Sequence, residues 1–178
     1  MRKVVLYELL SLDGVAESPD TFFTDWDEAM EANLAAVIGT QDAVILGRRS
    51  YDEWSEYWPD SEIEPFATFI NNVAKYVATS TPLGGQWHNA TAIEGGVVEF
   101  VRSLKQSSGG DIGVHASVSV GQALLAGDVV DEVRLVVAPA IAGGGRRLLD
   151  GLPTMRLELV RSATSPSGYL LADYRIAR

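Results

Sequence analysis

Short apolar segments alternate with helix-like segments along most of this chain. Residues 3–10 form a nearly continuous apolar run, and Asp42–Leu46 is a second run of the same kind. Such runs are typical of strands that are covered on both faces. Between them, apolar residues recur at helical spacing, at Met30, Leu34, Val37 and Ile38. The alternation predicts a parallel sheet with helices on both faces, the first helix starting in a capping arrangement of Asp25 and Glu28.

The same alternation continues as far as residue 138. The further predicted strands cover residues 75–79, 91–93, 111–115 and 133–138. The further predicted helices begin at Arg48, closing near Trp58, and then cover residues 97–104 and 117–125. Pro82 and the pair Gly84-Gly85 end the strand at 75–79, because proline and glycine favour turns over strands.

The end of the chain alternates with a period of two instead. Apolar or aromatic residues recur in this way at Leu157, Leu159, Leu170, Ala172, Tyr174 and Ile176. Ser165-Pro166-Ser167-Gly168 lies between the two halves, which predicts an antiparallel hairpin. The expected fold is therefore α/β, with a mostly parallel sheet and an antiparallel C-terminal hairpin. A chain of 178 residues suits one domain, which we expect to cover residues 1–178.

Composition narrows the kinds of partner that this chain can have. Its net charge of −10 argues against nucleic acid, because binding a phosphate backbone requires a basic surface. It has no cysteine and only two histidines, so we expect no metal site. No apolar run approaches the ~20 residues needed to cross a bilayer. The run at residues 3–10 contains Glu8 and leads to no cleavage site, so we expect a cytoplasmic protein that does not contact membranes.

The junction at Gly47 is the segment most informative about chemistry. A buried strand ends in this glycine, and Arg48, Arg49 and Ser50 follow in the first turn of a predicted helix. Free N–H groups at a helix N-terminus attract anions, glycine lets a phosphate approach the backbone, and arginine adds a bidentate contact. A plain strand–turn–helix junction with surface arginines would show the same residues. The residues alone leave both interpretations open.

The sequence Gly-Arg-Arg-Ser-Tyr at residues 47–51 resembles the Gly-Arg-x-Thr/Ser motif of the dihydrofolate reductase superfamily. It is especially similar to the reductase domain of bacterial riboflavin biosynthesis enzymes. Further segments match in order along nearly the whole chain, at residues 11–14, 79–81, 111–125, 130–133, 139 and 143–149. The resemblance implies a three-layer α/β/α sandwich of the dihydrofolate reductase type.

The resemblance also implies a site for NADPH. Arg48 would meet the 2′-phosphate, with Ser80 beside it. Arg49 and Ser50 would meet the pyrophosphate at the start of the helix that follows Gly47. NADPH is expected rather than NADH because an arginine with a neighbouring hydroxyl suits the additional phosphate.

A second helix start is expected to complete this cofactor site. By the resemblance, Ser117 and Val118 present backbone N–H groups to the pyrophosphate, where each helix N-terminus contributes roughly half a positive charge. The family usually has Gly-Ser or Gly-Gly at this turn, whereas this chain has Ala116-Ser117. If the backbone there requires a positive φ, alanine costs on the order of 1 kcal/mol.

Hydride transfer to a C=N or C=O bond also requires a group that protonates or hydrogen-bonds the product. In the folate reductases an acidic residue of the first long helix orients the pterin, and Glu31 stands at that position when the chain is counted back from Gly47. Asp27 lies one turn earlier, and Asp13 follows the first strand, where ligands of open α/β sheets gather. The plainer interpretations are a solvent-exposed Glu31, a first-turn charge at Asp27 and a turn residue at Asp13.

These residues predict an NADPH-dependent reductase that acts on a small pterin- or pyrimidine-like heterocycle or on a carbonyl compound. Arg146 and Arg147 could hold a substrate phosphate. The chain has no Cys-x-x-Cys motif for a zinc deaminase domain, which favours a divergent relative of the riboflavin reductases. One alternative is a non-catalytic protein of the same fold that binds a nucleotide or similar ligand. Another is a domain whose role is dimerisation through the terminal hairpin or the glycine loop, and we expect a homodimer.

Overall fold

The computed structural model describes residues 1–84 and 87–178, so the predicted turn residue Gly85 lies outside the described residues. Its strands are β1 (Val4–Leu10), β2 (Gln41–Gly47), β3 (Ala74–Ala78), β4 (Ala90–Ala92), β5 (Asp111–His115), β6 (Glu132–Val137), β7 (Leu157–Thr164) and β8 (Leu170–Ile176). Its α-helices are α1 (Glu28–Ile38), α2 (Arg48–Tyr57), α3 (Phe66–Asn72), α4 (Val97–Leu104) and α5 (Val118–Ala126). Short 3-10 turns cover Pro19–Thr21 and Trp58–Asp60.

The strands form one sheet in the order β4-β3-β2-β5-β1-β6-β8-β7. Every pairing from β4 to β6 is parallel, whereas β8 pairs antiparallel with both β6 and β7. The prediction of a mostly parallel sheet with an antiparallel C-terminal hairpin is therefore confirmed. β1 and β5 lie in the middle and are covered on both faces, which explains why β1 is largely apolar on both.

Side chains of the central strands alternate between two cores, one on each face of the sheet. On one face they pack against α1, α2 and α3, with members that include Val5, Val44, Leu46, Met30, Tyr51 and Ile70. On the other face they pack against α4 and α5, with members that include Leu6, Ile45, Val114, Val101 and Leu124. The sheet is thus the middle layer of a three-layer α/β/α sandwich.

Two local features differ from the sequence-based expectation. Helix α3 was not predicted, because its seven residues are too few to show a helical period. The cap of α1 is Asp27 rather than Asp25 with Glu28, so the predicted capping arrangement is wrong. One Asp27 oxygen accepts the N–H groups of Ala29 (3.1 Å) and Met30 (3.0 Å), which are among the free donors of the first turn.

Across residues 1–84 and 87–178, none of the helices is both long enough and apolar enough to span a bilayer. The same residues contain no group of three or more histidine or acidic side chains arranged to hold a metal ion.

Candidate functional site

A cleft of about 930 Å³ opens at the carboxyl ends of β1, β2 and β5. The chain leaves β2 toward β3 in one direction, and it leaves β5 toward β6 in the other. The helices that follow these two strands, α2 and α5, lie on opposite faces of the sheet. Such a topological switch point is where open α/β sheets bind ligands, and the volume suits a small-molecule site.

The starts of α2 and α5 are joined by hydrogen bonds at this cleft. The Ser117 hydroxyl oxygen accepts the Gly47 N–H at 2.8 Å. The same hydroxyl donates to Ser50 at 3.0 Å, and the Ser50 hydroxyl donates to the Ala116 carbonyl oxygen at 3.4 Å. The predicted residues at the two helix starts therefore lie side by side. Their combined dipoles favour an anion at this point of the cleft.

Arg48 extends from the start of α2 to the segment that follows β3. Its Nη1 donates to the hydroxyls of Thr81 (2.6 Å) and Thr79 (3.1 Å), while its Nε donates to Asp52 (2.8 Å). Ser80 lies between the two threonines and is exposed. The fold thus brings Arg48 near Ser80, in a place rich in hydroxyl groups.

Arg49 lines the cleft and pairs with two carboxylates. Its side chain is 72% exposed, and it pairs with Glu53 at 3.1 Å and with Glu17 at 3.6 Å. Val118, the first residue of α5, is buried and lines the cleft with its neighbours. The Arg49 guanidinium is therefore already ion-paired within the protein.

Ala116 has a left-handed backbone conformation, with a φ of 55°. This is the region in which glycine is favoured, because it has no Cβ to clash with the backbone. The side chain of Ala116 is exposed, so no packing contact offsets the strain. The chain keeps the turn into α5 despite the replacement of glycine by alanine.

Asp13 holds the glycine loop against the end of β1. Its carboxylate accepts the Ser11 hydroxyl at 2.6 Å and the N–H groups of Ala142 and Gly143, both at 2.9 Å. The Ser11 hydrogen bond is the main reason why the pKa of Asp13 is lowered to about 2, with the Ala142 N–H second among the groups that lower it. Arg147 adds a contact at 3.6 Å. This carboxylate is occupied by the protein itself, and it is not among the residues lining the cleft.

The two acidic residues predicted around α1 also lie away from the cleft lining. Besides capping α1, Asp27 accepts the N–H and the hydroxyl of Ser167, which hold its pKa well below the usual range. Glu31 is exposed on the first turn of α1. The side chains that reach the cleft from this region are Trp26 and Leu34. The geometry therefore favours a structural role for Asp27 as the cap of α1, and it favours Glu31 as a solvent-exposed residue.

Aromatic side chains form one wall of the cleft. The rings of Trp54, Trp58 and Phe66 contact one another with centroids 4.8–5.9 Å apart. His115 packs behind Phe66 at 5.6 Å, and its Nε2 lies 2.8 Å from the Gln41 side-chain oxygen. Burial lowers the pKa of His115 to about 3, so the ring is neutral at physiological pH. The wall is apolar and uncharged.

Glu8 is a cleft residue that the sequence-based reasoning missed. It lies on the otherwise apolar strand β1, is 3% exposed and lines the cleft. The signal was present in the sequence as one acidic residue within a buried run. By itself, the sequence makes Glu8 an argument against a signal peptide and nothing more.

Comparison with known proteins places this fold and cleft in a family. The sequence model described as "RibD C-terminal domain" matches residues 2–171. Uncharacterized protein YyaP of Bacillus subtilis is 28% identical, over 97% of this chain and 94% of that protein.

Solved structures share the fold at lower identity. A Shewanella sp. PV-4 protein named for riboflavin biosynthesis superposes with a TM-score of 0.80 and 16% identity, covering 99% of both chains. A pyrimidine reductase-like protein of Corynebacterium diphtheriae gives 0.71 and 15%, covering 99% of this chain and 92% of that one. At such identities these structures establish the fold alone. The match to the family along nearly the whole chain establishes membership: this protein belongs to the RibD C-terminal domain family.

Proposed function

We propose that this protein is an NADPH-dependent reductase that transfers hydride to a small pyrimidine-like heterocycle or to a carbonyl compound. Its family and fold indicate a reductase of pyrimidine-like substrates. The observation that carries the proposal is the junction of two helix starts beside Arg48. The Ser117 hydroxyl links these starts at the switch point of the sheet.

The residues around the junction fit a phosphorylated dinucleotide. Gly47 lines the cleft at the start of α2, and a Cβ there would lie 3.4–3.6 Å from Val120 and Ser117, so its lack of a side chain lets the two helix starts lie close together. Arg48 offers a guanidinium beside the hydroxyls of Thr79 and Thr81, which suits the 2′-phosphate that distinguishes NADPH from NADH. Arg146 lines the cleft near the start of α5, where it hydrogen-bonds Ser119 at 2.7 Å. It is the better placed of the two late arginines to bind an anionic substrate group.

When bound, the reduced nicotinamide supplies hydride. The chain itself would orient the acceptor and exclude water. The wall of Trp54, Trp58 and Phe66 can stack against a flat heterocycle, because aromatic faces pack well on one another. Excluding water from such a wall strengthens the polar contacts at the reacting atoms.

Titration with NADPH and NADH, followed by nucleotide fluorescence and thermal shift, tests the cofactor. Arg48→Gln should weaken NADPH about 10- to 100-fold, because a charge-assisted hydrogen bond contributes about 1.5–3 kcal/mol. NADH binding should change little. Arg102→Gln is the charge-matched control, since Arg102 lies on α4 and pairs with Glu99 on the surface. Absence of NADPH binding near millimolar concentration, or equal losses for both nucleotides, would contradict the proposal.

A specific observation favours a second candidate, a non-catalytic protein that binds a nucleotide in the same cleft. Asp13 and Asp27 are saturated by the protein's own donors, so neither of these predicted carboxylates is available to a substrate. This candidate predicts NADPH binding without oxidation across pterins, aminopyrimidines and aldehydes. Steady oxidation with any of these compounds would eliminate it.

We also propose that the protein is a cytoplasmic homodimer joined through the β7–β8 hairpin. β7 is an edge strand, and its exposed apolar side chains include Leu159 at 59% and Val160 at 52%. An exposed apolar edge strand favours pairing with another chain. Light scattering of the purified protein tests the dimer, and a monomer at micromolar concentration would contradict it.

A further inference from the structure

Glu8 is a buried carboxyl group with an unpartnered oxygen. It is 3% exposed, and its Oε1 finds no hydrogen-bond partner among the residues that the structure describes. Burying a charge without a partner is far more costly than burying the neutral acid. Accordingly, burial raises the pKa of Glu8 to about 8. At neutral pH this side chain is a carboxylic acid with a hydrogen to donate.

Glu8 lies where β1 extends beyond its neighbour β5. The last paired residue of β5 is His115, opposite Tyr7, so Glu8 is the first residue of β1 past that pairing. By strand alternation its side chain is on the same face as Leu6, toward α5. Gly121 of α5 sits so close to Leu6 that a Cβ there would be 3.1 Å from the leucine Cδ1. The first turn of α5 precedes Gly121 and lies toward the carboxyl end of β1, where Glu8 is.

The other carboxylates that line the cleft differ from Glu8 in exposure or partners. Glu17 and Glu53 contact Arg49, and Asp20 and Glu64 are exposed. Within residues 1–84 and 87–178, Glu8 is thus the one cleft-lining carboxyl group that is both buried and incompletely hydrogen-bonded.

We propose that Glu8 is the catalytic acid of the reduction, an inference that rests on the proposed reductase function. When hydride from the reduced nicotinamide bonds to the carbon of a C=N or C=O group, the π electron pair moves to the nitrogen or oxygen. The Glu8 O–H bond breaks, and its proton bonds to that atom. Water restores the proton to the remaining carboxylate afterwards.

Neighbouring groups keep a constant charge over the pH range in which Glu8 titrates. The titratable groups on β5, on β6 and on the loop beside α5 are Asp111, His115, Glu132, Arg134, Arg146, Arg147 and Asp150, and Tyr7 precedes Glu8 on β1. Asp111 and Glu132 begin their strands, at the ends away from the cleft. His115 is neutral above pH 4, burial raises the pKa of Tyr7, and arginine stays charged. A change in rate near pH 8 would therefore report Glu8.

The protonation state can be measured without any substrate. Carbon-13 NMR of protein labelled at the glutamate carboxyl carbons would follow Glu8, with Glu8→Gln used to assign its signal. Glu8→Asp gives a second assignment if the glutamine variant does not fold. We expect a titration near pH 8, whereas a titration in the ordinary glutamate range would overturn the proposal.

Kinetics separates a catalytic role from a structural one. With NADPH and a panel of an aminopyrimidine riboside, a dihydropterin and an aromatic aldehyde, Glu8→Gln should lower kcat about 100- to 10,000-fold. Its NADPH Kd should stay within twofold of wild type. The wild-type kcat should fall above pH 8. The Glu8→Asp variant should have a lower kcat that still falls at high pH. Glu56→Gln, which neutralises an exposed carboxylate on α2, is the matched control.

The outcomes distinguish the two proposals. Wild-type turnover with an equally active Glu8→Gln variant, or with an unchanged pH profile, would overturn the role of Glu8 and leave the reductase function standing. NADPH binding with no oxidation across the panel would overturn the reductase function and, with it, the catalytic acid.

Discussion

Replacing Ala116 with glycine should stabilise the protein. Ala116 has a φ of 55° immediately before α5. An L-residue in the left-handed region is disfavoured by about 1–2 kcal/mol, whereas glycine occupies it without a clash. The alanine side chain is exposed, so its removal sacrifices no packing.

The expected gain in the free energy of unfolding is smaller than the strain energy that is removed. Glycine also raises the conformational entropy of the unfolded chain, which favours unfolding. That opposing effect is about 0.4–1 kcal/mol. Taken at the middle of both ranges, the difference leaves a net stabilisation of about 0.5–1 kcal/mol. For a protein of this size, each kcal/mol shifts Tm by about 2–4 °C, so Tm should rise by about 1–4 °C.

Calorimetry or urea denaturation of both forms measures this change. Ala36→Gly is the matched control, since Ala36 is exposed within the right-handed helix α1. There the same substitution should destabilise by about 0.5–1 kcal/mol. Opposite signs at the two positions would support the strain, while a loss of stability at both would refute it.

Three other changes give further tests. Ser117→Ala should lower the free energy of unfolding by about 1–3 kcal/mol, measured in urea, because the Gly47 N–H loses its acceptor. Between pH 6.5 and 8, Glu8 should lower the free energy of unfolding by about 1 kcal/mol per pH unit, since it holds a proton when folded and has lost it when unfolded. Lys75, whose pKa is lowered by burial to about 8, opposes this fall toward the upper end of the range. Glu8→Gln should remove that slope, and an unchanged slope would contradict the raised pKa. Leu159→Glu should shift the proposed homodimer toward monomer in light scattering, because it places a charge among the exposed apolar side chains of β7.

The sheet could be predicted from the sequence because its strands show recognisable patterns of apolar residues over a few neighbouring positions. β1 and β2 are apolar runs bounded by turn residues, and β7 with β8 shows a period of two around Ser165–Gly168. Helix α3 lacks such a pattern, because a seven-residue helix shows fewer than two full turns. Its position depends on packing against the sheet.

The site was predictable only where backbone geometry determines it. The start of α2 follows from a strand that ends at Gly47, which the sequence displays. The state of each carboxylate instead depends on partners distant in the chain. Asp27 is bound by Ser167, 140 residues away, and Asp13 by Ala142, 129 residues away. The pKa of Glu8 is raised because the side chain is buried and its Oε1 has no hydrogen-bond partner among the described residues. No local sequence pattern shows this.

The sheet order has a consequence for how this protein matures during synthesis. β5 inserts between β2 and β1, although more than sixty residues separate it from β2 in the chain. The two helix starts cannot meet until His115 and α5 have left the ribosome and β5 has entered the sheet. The proposed nucleotide binding should therefore require a chain that extends through α5, and N-terminal fragments ending before β5 should bind no nucleotide.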